Sequence, residues 1–288
     1  MAKAQAKTNP VREIKVEGKK VAKQAAFNPW MERLTRLGYA VKGFLYMAIG
    51  IISIAGALGK SNTPADQLGA IVEFSKLPYA EPVMWILLVG LVAYALWGVI
   101  RAIFDPFHKG TDLKGWLTRG GYLISAATYA SFVYPTYQLI AGARRDSPGN
   151  GTEKLVSQIM NMPMGRWLAG IIGLAAVAAG LYQMYGAIKM DFDKQFKPYA
   201  LTSDQRRTAI QIGRFGTFAR GIVFAIVGFF ITLAAVQANP GHAQGVSGAL
   251  DYLAKQPYGI WLLGFVAMGL IAFGIYSLMS AMWFRFQR

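Results

Sequence analysis

The sequence RFGTFARGIVFAIVG, residues 214–228, decides the fold, because RLGYAVKGFLYMAIG, residues 36–50, repeats it almost position for position. A weaker third copy, RGGYLISAATYASFV, occupies residues 119–133 between the other two. Each copy opens with an arginine, has a glycine two residues later and has an aromatic ring ten residues later. Internal repetition of this kind indicates tandem structural units. The chain therefore contains three copies of one unit.

A second apolar segment follows each copy, and these segments match as well. PMGRWLAG from Pro163 aligns with PYGIWLLG from Pro257, and the first unit aligns more loosely from Pro78. Each unit is therefore predicted to contain two helices. Counting from the three prolines identifies equivalent residues in the second helix of each unit.

The apolar segments are long enough to cross a membrane. Of 288 residues, 54% are hydrophobic and only 15% are charged, a balance typical of membrane proteins. Six runs of about 20 residues are nearly free of charge, and a helix of that length spans the hydrocarbon layer of a bilayer. The predicted spans are residues 39–58, 82–100, 120–142, 167–188, 215–236 and 260–284. Continuous apolar runs favour helices over barrel strands, so the fold class is an all-α membrane protein with six transmembrane helices in three tandem hairpins.

The distribution of charge predicts the orientation of these spans. With six spans, both termini lie on one side, and that side carries 21 Lys and Arg against 7 on the other. The positive-inside rule places the N and C termini in the cytoplasm. Successive two-span units keep the same orientation, which predicts a ring of hairpins with pseudo-threefold symmetry. The repeats are residues 28–105, 106–192 and 193–288, preceded by a basic, disordered cytoplasmic tail at residues 1–27.

Between the two spans of each unit, the outward-facing segment contains a short stretch with helical spacing of apolar residues. Each stretch ends at one of the prolines that open the second span, namely Pro78, Pro163 and Pro257. We expect three short helices on the outer membrane surface, which cover the ends of the bundle or form a vestibule for a ligand. In the third span, Pro135 predicts a kink, and the hydroxyl of Ser131 is placed to rescue the freed carbonyl.

Glycines recur at intervals that align them on one face of a helix. Small side chains let helix backbones approach closely in lipid, so we expect these glycines to form contact seams between helices. The predicted packing residues are Gly43, Gly50, Gly221, Gly228, Gly264 and Gly274.

Lys42 and Arg220 are the only Lys or Arg residues inside the predicted spans. A cation at this depth is costly unless it extends toward the interface or finds a partner. One interpretation is such an extension toward the cytoplasm. Counting depth from the span ends suggests another, in which Lys42 stacks on Trp97 and Arg220 on Tyr276 as cation–π pairs.

In the middle unit, the same positions hold a neutral pair, Ser125 and Tyr182, so the predicted aromatic partners are Trp97, Tyr182 and Tyr276. A functional alternative is that the repeat cations bind an anion or a lipid phosphate on the inner leaflet. The candidate contacts for such an anion are Arg36, Lys42, Arg119, Arg214 and Arg220.

Residue patterns that carry catalysis are missing from the sequence. It contains no HExxH, no Walker or GxGxxG loop, and no serine with a suitable base. His108 and His242 fall in loops on opposite sides of the membrane and cannot form one metal site. We therefore expect no enzyme activity, no catalytic, cofactor-binding or metal-binding residues, and no cofactor. The net charge of +16 follows membrane topology, so no nucleic-acid partner is expected.

The recurring pattern R-x-G-x-x-x-[KR]-G-x-x-[YF], followed by the GLY sequence at residues 180–182 or a close variant, resembles a bacterial membrane-protein family, the domain-of-unknown-function 1206 family. The resemblance covers about residues 34–288 and implies six spans in three pairs. Ser125 and Ala126 depart from the pattern in the middle unit. The resemblance implies a multi-pass protein of the bacterial inner membrane and supplies no activity.

The features together suggest a non-enzymatic accessory or scaffold subunit that interacts with membrane lipids or with other membrane-protein subunits. The anionic headgroups of the cytoplasmic leaflet are the expected lipid partners. The alternative is a channel or carrier for an anionic or small neutral solute. A carrier needs polar side chains from all three units that converge midway, whereas a scaffold has an apolar, filled centre.

Overall fold

The computed structural model describes residues 29–105, 110, 112–142, 151–189 and 202–283, and the regular structure in these ranges is helical throughout. The basic tail predicted at residues 1–27 lies outside them. The helices are α1 Pro29–Ala57, α2 Gln67–Ser75, α3 Ala80–Phe104, α4 Leu113–Ser131, α5 Val133–Ile140, α6 Gly151–Met160, α7 Gly165–Lys189, α8 Ser203–Val236, α9 Val246–Ala254 and α10 Gly259–Trp283. A short 3-10 turn, Pro240–His242, precedes α9.

Five helices, α1, α3, α7, α8 and α10, are long and apolar enough to cross a membrane. The candidate spans within these helices are 23 to 34 residues long. The described part of the chain is therefore all-helical and contains five candidate membrane-spanning helices. The remaining predicted span, residues 120–142, is divided between α4 and α5.

Side-chain caps fix where several helices begin. The carboxylates of Asp66 and Asp112 each accept a hydrogen bond from the amide three residues later, at 2.8 and 3.1 Å. Thr202 and Gln205 form a reciprocal capping box at the start of α8. Such bonds satisfy amides that have no partner within the first turn.

The interruption of the third predicted span lies where Pro135 predicts it. α4 ends at Ser131, the amide of Phe132 bonds the Tyr129 carbonyl at 3.2 Å, and α5 restarts at the next residue. Pro135 falls in the first turn of α5, where a missing N–H costs no intrahelical bond. The predicted rescue by Ser131 is wrong, because its hydroxyl donates to the Thr128 carbonyl at 2.7 Å instead.

Glycines allow close approach between the first and last of these helices. A Cβ atom on Gly43 would lie 2.8 Å from the Gly274 carbonyl oxygen, and one on Gly50 would lie 2.6 Å from the Ala267 carbonyl oxygen. Real Cβ contacts are longer, so a larger residue would force the backbones of α1 and α10 apart. This seam joins the first unit to the third.

The equivalent seam joins the second unit to the third through α7 and α8. A Cβ atom on Gly221 would lie 2.8 Å from the Gly180 carbonyl oxygen, and one on Gly228 would lie 2.7 Å from the Gly173 carbonyl oxygen. Gly264 does not belong to either seam, in contrast to the prediction. A Cβ atom there would meet nothing within 4 Å, because Gly264 lies on a different face of α10 from Gly274.

The first and second units meet through α3 and α4. A Cβ atom on Gly98 would lie 2.8 Å from the Ala126 side chain. Each unit thus contacts the next through its second helix and the neighbour's first helix, and the third unit contacts the first in the same way.

Contacts within units follow a different rule, because only two of the three hairpins are closed. A Cβ atom on Gly38 would lie 2.9 Å from the Tyr94 Cβ, and one on the equivalent Gly216 would lie 2.8 Å from the Phe273 Cβ. At the third equivalent residue, Gly121, a Cβ atom would meet nothing within 4 Å.

Consistent with this difference, α4 and α5 share no packed interface with α7 among the described residues. The predicted ring therefore stays open between the two helices of the second unit. The residue of α7 that corresponds to Tyr94 and Phe273 is Ala179, which has no ring to fill the space between helices. We call this opening the second-unit gap, and it is lined by the exposed residues Gly121, Ile124, Ile172, Ala175 and Ala179.

The short helices predicted before Pro78, Pro163 and Pro257 are present as α2, α6 and α9. α2 contacts both helices of its unit and α9 contacts both helices of its own. α6 contacts α7 and the 3-10 turn of the third unit, and it shares no packed interface with α4 in the described part of the chain. The layer of short helices therefore shows the same asymmetry as the long helices that it contacts.

Candidate functional site

Two of the arginines that open the repeats bind the end of a neighbouring helix. A guanidinium nitrogen of Arg36 donates to the Ala281 carbonyl at 2.8 Å, and Arg119 Nε donates to the Ala102 carbonyl at 2.6 Å. Ala281 and Ala102 occupy equivalent positions in the last turn of α10 and α3. A cation there complements the partial negative charge of a helix C-terminus. These contacts give both arginines a structural role.

Arg214 is the third opening arginine, and it is exposed. It has no hydrogen bond or ion pair with any described residue. Of the five cations predicted as anion contacts, two are thus bound to carbonyls and one lies at the surface. Lys42 and Arg220 remain.

Lys42 is buried, with 8% of its surface exposed. Its Nζ donates to the Tyr94 hydroxyl at 3.2 Å and lies 5.0 Å from the centroid of the Phe273 ring. Arg220 is partly buried, and its guanidinium lies 4.9 Å from the same Phe273 ring. The two cations are close enough for their charges to repel.

Arg220 also faces two further rings. Its guanidinium lies 4.8 Å from the Phe224 ring and 5.5 Å from the Tyr46 ring. Phe224 is four residues further along α8, about one helical turn from Arg220. The extension of this cation toward the cytoplasm stays a prediction. Its Nε is buried and makes no hydrogen bond.

The aromatic partners predicted for Lys42 and Arg220 are wrong. Lys42 uses Tyr94 and Arg220 uses Phe273, each three residues before the predicted Trp97 and Tyr276 on the same helix. Three residues are almost one helical turn, which is the error made by counting depth from the ends of the spans. Trp97 instead faces Arg101, with 5.7 Å between the guanidinium and the ring.

The remaining predicted rings lie elsewhere. Tyr276 packs against Gly213, where a Cβ atom would lie 2.6 Å from the ring. Tyr182 is 54% exposed, so it does not pair with Ser125. Ser125 instead lies beside the Tyr94 hydroxyl.

Tyr129 completes the arrangement from the second unit. It is buried, its ring centroid lies 4.3 Å from that of Tyr94, and its hydroxyl makes no hydrogen bond. It also lies near enough to Arg220 to interact electrostatically. We call these residues the basic-aromatic cluster, which consists of Lys42, Tyr46, Tyr94, Tyr129, Arg220 and Phe273.

Arg101 was missed because it follows the second predicted span and was counted as a flanking charge. It is buried, donates to the Tyr39 hydroxyl at 3.4 Å and lies 4.5 Å from the Tyr122 ring. Its spacing carried a usable signal. Arg101 follows Trp97 by four residues and Tyr94 by seven, which places all three on one face of α3.

The cluster is rich in positive charge. Within the described ranges, the ion pairs are Arg36–Glu32 and Lys76–Glu73, both away from the cluster. Ring faces and hydroxyls are thus the partners that the protein supplies to Lys42 and Arg220. An arrangement of this kind can bind an anion, because ammonium, guanidinium and phenol groups are all hydrogen-bond donors.

A second candidate site lies at the end of the bundle that carries the short helices α2 and α9. A cavity of about 430 Å³ is lined by Ser53, Asp66, Ser247 and Asp251, among other residues. Burial raises the pKa of Asp66, while its carboxylate is already engaged as the cap of α2 and by the Ser247 hydroxyl. This cavity lies beside the short helices α2 and α9, and one of its two carboxylates has a structural role. The vestibule for a ligand stays a prediction.

Comparison with known proteins identifies the repeats. The family model described as Domain of Unknown Function (DUF1206) matches the chain three times, over residues 37–105, 120–190 and 215–283. The chain belongs to the DUF1206 family. These three matches confirm the family and the three tandem repeats that the sequence pattern predicts.

A relative of this DUF1206 protein occurs in Bacillus subtilis strain 168. It is described as uncharacterized protein YxxB and is 29% identical over 255 residues, which cover 88% of this chain and 92% of the relative. No solved structure matches the chain. The family membership therefore establishes three repeats and assigns no activity.

Proposed function

We propose that this DUF1206 protein is a non-enzymatic accessory or scaffold subunit of the bacterial inner membrane. In this proposal, the chain crosses the membrane six times, with α4 and α5 together forming the broken third crossing. Both termini lie in the cytoplasm, in line with the excess of Lys and Arg on that side. Anionic headgroups of the inner leaflet attract this cationic face, and no nucleic acid is involved.

The observation that carries the proposal is the second-unit gap. In the first unit, a Cβ atom on Gly90 would lie 2.9 Å from the Val41 Cβ, and in the third unit one on Gly269 would lie 2.1 Å from the Ala219 Cβ. The equivalent residues of the second unit, Ile124 and Ala175, are both exposed. Faces that are buried against each other in two units are thus available to another molecule in the second.

We assign the gap to a transmembrane helix of a partner protein. Ala175 and Ala179 are four residues apart and exposed on α7, and Gly121 is the exposed equivalent of Gly38 and Gly216, which contact the second helix in the other units. Small residues at this spacing allow close approach of a helix backbone, which gains more from shape complementarity than a lipid chain does. A subunit that holds a partner helix in this way fits the role of a scaffold.

A site-specific crosslink in native membranes tests the assignment. A photoreactive amino acid is placed at Ala179, which lines the gap, or at the neighbouring Ala178, which is exposed on a different face of α7. We expect a discrete protein adduct from position 179 and none from position 178. Adducts to lipid alone at both positions would overturn the scaffold proposal.

A channel or carrier remains the second candidate, because polar side chains from all three units do meet in the basic-aromatic cluster. Outward of the cluster, however, the core consists of apolar residues such as Ile49, Val223 and Leu270. Purified protein in liposomes distinguishes the two functions. Movement of an anionic or small neutral solute that depends on the protein would support the carrier, and sealed vesicles would support the scaffold.

A further inference from the structure

Three polar groups of the basic-aromatic cluster have hydrogen-bonding capacity that the described residues leave unused. Lys42 Nζ makes one hydrogen bond, whereas an ammonium group has three donors. Arg220 Nε and the Tyr129 hydroxyl are buried and make none. These groups come from three different units and meet beside the Phe273 and Tyr94 rings.

The charges of the cluster point to the sign of its ligand. Lys42 and Arg220 share one ring and repel each other, and no described carboxylate forms an ion pair with either. Burying two like charges is unfavourable unless an opposite charge joins them. An anion would remove the repulsion and accept hydrogen bonds from all three groups.

We propose that the basic-aromatic cluster binds one small anion between Lys42, Arg220 and Tyr129. The ligand class is a halide or a phosphate group, which accepts hydrogen bonds from several directions. This site is independent of the second-unit gap and of whatever occupies it. A bound anion neutralises the buried Lys42 and the partly buried Arg220 and links the three units.

Depth separates the two sources of such an anion. Lys42 follows Arg36 by six residues, and Arg36 binds the end of α10, so the cluster lies about 9 Å along α1 from that level. A dissolved anion reaches this depth by diffusion, whereas a lipid phosphate must be drawn inward from the headgroup layer. Both sources offer the same chemistry and require separate experimental arms.

The first arm uses the purified full-length protein in a neutral detergent and sodium gluconate. Chloride and inorganic phosphate are titrated separately, and the melting temperature is recorded. The second arm reconstitutes the protein in nanodiscs of phosphatidylcholine with or without phosphatidylglycerol, without added halide. A saturable rise in melting temperature in the first arm identifies a dissolved anion. A rise only with phosphatidylglycerol identifies the phosphate of an anionic lipid, because the phosphate of phosphatidylcholine is paired with its own choline.

Matched variants locate the site. Arg220→Gln should abolish the rise, whereas Arg214→Gln, which removes an exposed cation from the same helix, should preserve it. Tyr129→Phe keeps the ring and removes the free hydroxyl, so it should weaken the apparent anion affinity about fivefold without loss of fold. The Tyr129→Phe variant keeps the test decisive if Arg220→Gln does not fold.

Two results would overturn the proposal. One is the absence of any saturable anion effect in both arms. The other is an equal loss of the effect in Arg214→Gln and Arg220→Gln, which would show that the response comes from general surface charge.

Discussion

The second unit differs from the first and third in the contact between its two long helices. Gly38 and Gly216 lie against Tyr94 and Phe273, whereas Gly121 faces open space. All three units have the glycine, so the glycine alone does not close a hairpin. A glycine permits close approach only where a neighbouring helix presents a surface that fits it.

A hairpin is instead closed where its first helix has a cation and its second helix has an aromatic ring at the equivalent positions. The closed units have Lys42 or Arg220 on the first helix and Tyr94 or Phe273 on the second. At the same two positions, the open unit has Ser125 and Ala179. The cation–π contact between the two long helices and their close backbone approach therefore occur together in the first and third units, and the described residues of the second unit show neither.

Disulfide crosslinking should separate the units most clearly, because the chain has no cysteine of its own. In Gly216→Cys/Phe273→Cys, the two Cβ positions lie 2.8 Å apart, and a shift of about 1 Å gives disulfide geometry. This pair should crosslink in membranes, and the equivalent Gly121→Cys/Ala179→Cys pair should stay reduced. The membranes are treated with an oxidant, and the chain is then cut once between the two cysteines. On a gel, a crosslinked chain stays at full length, whereas a reduced chain separates into two fragments. Efficient crosslinking of both pairs would show that the second hairpin closes in the membrane.

Single alanine substitutions should have opposite effects in the two kinds of unit. A Cβ atom at Gly216 would lie 2.3 Å from the Phe273 amide nitrogen, so Gly216→Ala should lower the free energy of unfolding by about 2 kcal/mol. Gly121→Ala meets no atom and should be neutral or stabilising by up to about 1 kcal/mol. Unfolding in mixed micelles measures both values. Equal losses would mean that Gly121 is also in contact with a helix.

The opening arginines provide a smaller contrast. Arg36→Gln should lower the free energy of unfolding by about 1 kcal/mol, because Arg36 is partly exposed and bonds the carbonyls that end α10. Arg214→Gln, which changes an exposed residue without such bonds, should stay within about 0.5 kcal/mol of the parent protein. The same unfolding assay applies. A larger loss of unfolding free energy in Arg214→Gln than in Arg36→Gln would contradict the structural role assigned to Arg36.

The smallest expected effect concerns Glu73 in α2, the short helix of the first unit. Hydrogen bonds from Lys76 and Thr63 lower the pKa of Glu73, so its contribution is present above the unfolded pKa of about 4.3 and is lost as pH falls through the lower folded value. Glu73→Gln should cost about 0.5 kcal/mol or less at neutral pH and should flatten this acid loss. Gln158→Ala, at the equivalent residue of α6, should leave the pH profile unchanged. A steeper acid loss in Glu73→Gln would contradict the assigned sign.

The repeats and their helices could be predicted because they depend on local residue spacing and on continuous apolar segments. The spacing of Gly43, Gly50, Gly221 and Gly228 identifies faces where backbones approach, since helix periodicity aligns them. Their partner helices were not predictable in the same way. Gly264 has the same residue type as Gly274, yet it faces open space, because residue type does not specify which neighbour lies opposite.

The cluster was only half predictable for a related reason. The cost of burial marks Lys42 and Arg220 as unusual in any apolar span. Their rings were misassigned by one turn because the depth of a residue was inferred from the ends of the spans, which a sequence places only to within a few residues. Arg101 was misjudged for the same reason, because it directly follows the end of the second predicted span at residue 100.

The seam between α1 and α10 has a consequence for biosynthesis. Gly43 and Gly50 find their partners on the helix that leaves the ribosome last among those described. During translation, the glycine face of α1 therefore has no packing partner in the bilayer until nearly the whole chain has been inserted. A nascent chain arrested before α10 should remain open to chaperones or proteases, and release of the final helix should protect it in a single late step.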